Sequence, residues 1–165
     1  MVTFNTLPYT ICLLLMLLAG IIDVKTRKIP NYITFPAFGI GIVLTFFING
    51  IYSLIPVLLF TVFMFGISIF GIMGLGDVKL LIAESSLVGV FNALLTLSIG
   101  SIAVVVIYFL TKPKMMESEV RLGLINLSTG NWKGVFDGKT IPMAPFLLIG
   151  FIGATIIDFL GVISR

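Results

Sequence analysis

The chain has 165 residues, of which 59% are hydrophobic and 10% charged, and its mean hydropathy is +1.23. A soluble domain carries about 25% charged residues to cover its surface, so this composition excludes a water-soluble fold and indicates an all-α integral membrane protein, one domain over 1–165. One cysteine and no histidine exclude a disulfide framework, a Cys/His metal site and a Cys/His nucleophile pair, and ten basic residues scattered around apolar runs form no nucleic-acid face.

The charges fall in clusters, and the uncharged stretches 1–22, 29–76, 85–111 and 140–157 lie between them. A helix needs about 20 apolar residues to cross the hydrocarbon core. The first stretch has no Lys or Arg and no cleavage-site pattern, so it reads as a first span over roughly 5–24 rather than a signal peptide. Stretch 29–76 is long enough for two spans, roughly 31–48 and 52–73, turning at Asn49-Gly50. A fourth and a fifth helix follow at roughly 77–90 and 92–111, with a break near Gly89 to Asn92 (one long helix followed by a re-entrant piece is the competing reading), and a sixth covers roughly 141–161. These six helices leave 25–30, 74–79 and the long connector 112–140 on one side of the membrane. Nine of the ten Lys and Arg residues fall there. That bias places those loops in the cytoplasm and the N-terminus outside.

Two aspartates then return to the same face at similar depth. Asp23 ends the first uncharged run, and Asp77 follows the second in Gly74-Leu75-Gly76-Asp77. Ionisable groups at a membrane edge point to function. The structural alternatives are an N-cap role for Asp77 and an ion pair between Asp23 and Arg27 four residues on. Asp77 begins a helix and Asp23 ends one, so opposite dipole ends set the two carboxylates apart. Gly74 and Gly76 allow positive φ and a close approach of helices before Asp77. Glu84 lies two turns beyond Asp77 on the same helical face, about 10 Å along the axis, where it tunes Asp77, contacts substrate or is a paired carboxyl of the bundle. Lys79 points to another side of that helix, either snorkelling to the interface or acting on the dyad through its field. Asp158 falls near the outer interface, far from the pair.

These residues resemble a known family. The segment Asp23-Val24-Lys25-Thr26-Arg27-Lys28-Ile29-Pro30-Asn31 is similar to the first signature of type IV prepilin peptidases, and Gly74-Leu75-Gly76-Asp77-Val78-Lys79-Leu80 to their second. Ile141-Pro142-Met143-Ala144-Pro145 is similar to the stretch that opens their last helix. The resemblance implies an aspartic endopeptidase of the cytoplasmic membrane with Asp23 and Asp77 as its catalytic pair. Its substrates would be prepilin-like precursors (pilins, pseudopilins or archaellins) whose short basic leader it removes at the cytoplasmic face. It implies membrane lipid as surroundings and no metal, nucleotide or organic cofactor. The chain lacks the Cys-x-x-Cys insertion of the bifunctional members, so it resembles the short branch of tight-adherence pilus and preflagellin peptidases, which cleave without methylating. Two other readings stay open at this stage. Presenilin-like and signal-peptide-peptidase-like proteases also use Gly-x-Gly-Asp, although their other aspartate follows Tyr and Asp23 follows Ile22. A proton-coupled carrier or assembly component would use the two carboxylates as relay or packing groups.

Overall fold

A computed structural model describes residues 6–70, 73–111, 121, 125, 128 and 143–160. The described residues form six helices: α1 (Thr6–Thr26), α2 (Asn31–Asn49), α3 (Leu54–Ile69), α4 (Leu75–Val88), α5 (Val90–Thr111) and α6 (Ala144–Phe159), with one 3-10 turn at Ile51–Ser53 between α2 and α3. Of the 112–140 connector, only Arg121, Ile125 and Ser128 are described, each helical and exposed. Ile141 and Pro142 lie outside the described residues.

The turns fall where the sequence lacks alternatives. Gly50 (φ 81°) closes α2 and Gly89 (φ 98°) separates α4 from α5, conformations open to glycine because it has no Cβ. The break expected near Gly89 to Asn92 is therefore a single residue. Arg27 adopts φ 52°, and its N–H bonds the Asp23 carbonyl at 2.8 Å. This is a left-handed cap of the kind that ends helices, here on a non-glycine residue, and it turns the chain from α1 toward Pro30.

Four stretches are long and apolar enough to cross a membrane: α1, α2, α5, and α3 with its preceding 3-10 turn, Ile51–Ile69. At 14 and 16 residues, α4 and α6 are shorter than the expected spans. At 1.5 Å per residue α4 reaches about 21 Å, less than the roughly 30 Å hydrocarbon core. It does not touch the surroundings along most of its length. Val78 and every residue from Leu80 to Leu87 are buried, because α1, α2, α3 and α5 all pack against it.

The surface is apolar, unlike that of a soluble protein, and the mostly apolar interior also holds polar groups. The outer faces carry large apolar groups such as Leu18, Phe47, Val62, Phe63 and Leu110. The interior holds Thr34, Thr45, Glu84, Ser85, Ser86 and Thr96. Between membrane helices the hydrophobic effect gives little, and close backbone approach and interhelical hydrogen bonds hold them together. Thr45 of α2 donates to the Ser86 carbonyl of α4 at 2.6 Å. The pairing of α5 with α6 is the most extensive in the bundle and brings their backbones close. A Cβ added at Gly150 would lie 2.1 Å from the Thr96 carbonyl oxygen, and one at Gly100 would lie 2.9 Å from that of Phe146. Far from Asp23, the Tyr9 hydroxyl donates to Asp158 and the Asn92 amide donates to Tyr9 at 3.2 Å, tying α1, α5 and α6 together. Asp158 is part of this clamp, about 21 Å along α6 from Ala144.

Candidate active site

Asp23 belongs to the buried stripe of α1, in register with Cys12, Met16 and Ala19. That spacing turns its carboxyl into the bundle rather than toward solvent. It is 6% exposed, and its Oδ2 accepts the backbone N–H of Ala144 at 3.1 Å. Ala144 is the first residue of α6, where N–H groups have no intrahelical acceptor. The bond thus satisfies a helix end and fixes one oxygen of the carboxylate. Arg27, exposed and on the left-handed cap, is not the partner.

Asp77 is the third residue of α4, whose N-cap is Gly74. It is therefore not the N-cap residue, and the helix starts two positions earlier than expected. The Asp77 side chain is half-buried, folds back over the N-cap and lies within electrostatic reach of the Asp23 carboxylate. Asp23 does lie in the last turn of α1 and Asp77 in the first turn of α4, but a second helix end offsets the dipole contrast at Asp23. The N-terminus of α6 meets Asp23, so both carboxylates sit at helix N-terminal turns.

Of the two purposes expected for these glycines, close approach is used and positive φ is not. Gly74 has φ −62°, and the positive-φ glycines among the described residues are Gly50 and Gly89. What Gly74 and Gly76 supply is space. A Cβ on Gly74 would lie 3.1 Å from Asp77 Oδ2, and one on Gly76 would touch Ile29 at 3.4 Å. Ile29 is buried, so the Ile-Pro-Asn turn after α1 packs directly on the first turn of α4.

Lys79 adds a second tie between the same segments. Its Nζ donates to Asn31 Oδ1 at 2.8 Å and lies 5.7 Å from the centre of the Phe35 ring, within cation–π range. It is half-buried and holds α4 to α2 rather than snorkelling freely. Hydrogen bonds to charged groups contribute about 1.5–3 kcal/mol. The expected result for Lys79→Met is a loss of roughly 1–2 kcal/mol in unfolding stability, with Asn31→Ala adding little in the double variant. A thermal unfolding cycle over the four proteins in detergent checks it.

Glu84 stands apart. It is fully buried, Thr96 of α5 donates to its Oε1, and Cys12 of α1 is within its electrostatic reach. Its burial keeps it from touching a substrate at the surface, and its hydrogen bond ties α4 to α5. Among the described residues no cluster of three or more His, Cys, Asp or Glu side chains could hold a metal ion.

The structure thus brings Asp23, Gly74, Gly76, Asp77 and Lys79 to one end of the bundle and leaves Glu84 in its interior. The backbone N–H of Ala144 and the side chains of Ile29 and Asn31, which the sequence placed in the resembling segments without a role, join the first group. The type IV leader peptidase family matches this sequence over residues 10–110, which includes both aspartates. No curated protein and no solved structure matches it. A match over more than half the chain, on an all-helical bundle with four helices fit to cross a membrane, makes this multi-pass membrane peptidase a member of the type IV leader peptidase family.

Proposed function

We infer that the chain is an aspartic endopeptidase of the cytoplasmic membrane that removes the short basic leader of prepilin-like precursors. All six helices are embedded, the N-terminus is outside, and the 112–140 connector and the dyad face the cytoplasm, as the Lys/Arg bias favours. The observation that supports this reading best is the convergence on Asp23 and Asp77. Ala144 holds one carboxylate, and the Ile29–Gly76 and Asn31–Lys79 contacts seat the helix that bears the other.

The chemistry follows from two carboxyl groups in mutual reach. One carboxylate takes a proton from a water molecule as the oxygen attacks the scissile carbonyl. The other, protonated, donates a hydrogen bond to the developing oxyanion and passes a proton on as the amine leaves. The reaction calls on no cofactor, and methylation of the new amino terminus is not part of it.

Co-expression with a pilin-like precursor tests this reading. The wild type shortens the precursor, and a precursor that stays full length beside well-folded wild-type protein rejects the assignment. The glycines give a finer test. Gly74→Ala presses a methyl group on Asp77, and misplacing a catalytic group by a fraction of an ångström is costly. The expected result is a kcat loss of about tenfold or more at unchanged KM. Gly76→Ala meets only the Ile29 side chain at ordinary contact distance and is expected to stay within about threefold of wild type.

A further inference from the structure

A small cavity of about 40 Å³ lies between α2, α3 and α4, walled by Phe35, Phe38, Phe65 and Ile82. Thr34 and Thr61 also line it, and Lys79 stands at its edge. Thr34 is 1% exposed, and its hydroxyl has no hydrogen-bond partner. A buried orphan hydroxyl costs about 1–3 kcal/mol, so a polar group on an otherwise apolar wall marks a place where something is received. Thr61 spends its proton on the Val57 carbonyl at 2.8 Å and retains its acceptor capacity.

We propose that this cavity is a specificity pocket for one side chain of the peptide substrate, of the size of Val or Thr, with a hydroxyl preferred. The inference rests on the peptidase reading above. Size comes first: a water occupies about 10–15 Å³ by this measure, so the cavity takes about three heavy atoms. That admits the side chains of Ser, Val and Thr and excludes aromatic ones. Chemistry comes second, since Thr34 offers the occupant one unused hydroxyl. Position comes third. Lys79 is two residues past Asp77, which places the cavity about 200° around α4 from the dyad. A helix is about 10 Å across and an extended chain advances about 3.3 Å per residue. A substrate chain must pass around the helix, roughly 15 Å along its surface, so the pocketed residue is about four to five positions from the scissile bond.

The test uses a cleaved precursor in which each residue within five positions of the scissile bond is replaced in turn by Ala, Val, Thr and Phe. In wild type, one position discriminates against Phe by about tenfold or more in kcat/KM and favours Thr over Val by about threefold. Thr61→Leu fills the cavity and extends the discrimination to Val at that position alone, with the Ala substrate affected least. Thr34→Val keeps the volume and abolishes the preference for Thr. A flat wild-type profile overturns the proposal, as does a Thr61→Leu loss equal for all substrates. So does a loss that follows lipid composition instead of substrate sequence, which assigns the cavity to lipid. Absence of any wild-type cleavage rejects the peptidase assignment itself, a result distinguishable from each of these.

Discussion

Asp77→Asn and Asp23→Asn are each expected to lower precursor cleavage by about 10³-fold or more while the membrane fold persists. The amide is nearly isosteric, so packing survives: Asn at 23 still offers an oxygen to the Ala144 N–H. What disappears is the ability to exchange a proton with water or with the leaving amine, and the remaining carboxylate cannot supply both transfers at once. Cleavage assays on purified protein, with thermal unfolding as the control for folding, read both effects. A variant that unfolds within a few degrees of wild type yet cleaves at its rate removes that residue from the reaction.

Gly150→Val is expected to have the largest effect on stability. The missing side chain at 150 lets α6 lie against the α5 backbone, and even a Cβ there would stand 2.1 Å from the Thr96 carbonyl oxygen. A rigid backbone cannot give way as a side-chain tip can, so the helices must separate. Overpacking a well-filled interior costs about 1–3 kcal/mol, and the value here belongs at or above the top of that range. Gly153→Ala is the internal control, because its Cβ would meet only the side chain of Ile99, at 3.2 Å, which can rotate aside. Activity should fall together with stability in Gly150→Val, since α6 carries the N–H that positions Asp23. Unfolding in graded denaturing detergent, with cleavage measured alongside, checks both.

The helices were legible because lipid makes few demands and states them strongly. Uncharged runs of about 20 residues, broken at Asn49-Gly50 and Gly89, leave little freedom in where the chain turns. That Asp23 and Asp77 lie at the same end of the bundle was legible too, since two helices, α2 and α3, separate them in the chain. What escaped notice is held by the backbone. Ala144 contributes an N–H that every residue but proline has, and nothing in its side chain announces the role. The reason for Gly74 was misread in the same way: a glycine before an aspartate suggests a turn, whereas here it clears room for the carboxyl that follows. The early start of α4 reflects tertiary packing, with Ile29 and Asn31 stabilising a first turn whose glycines alone would not favour helix. Glu84 resembled a third site residue because it shares a helical face with Asp77, but periodicity says nothing about depth. Two turns further in, that face meets Thr96 in the buried interior.

The central claim is that Asp23 and Asp77 act as one unit on one water. A double-mutant cycle on kcat/KM with Asp23→Asn, Asp77→Asn and the combined variant measures it directly. Groups that act as a unit are strongly non-additive, so the double variant is predicted to be no slower than the poorer single one. A double variant slower by the product of the two single losses would show two independent contributions and contradict the dyad.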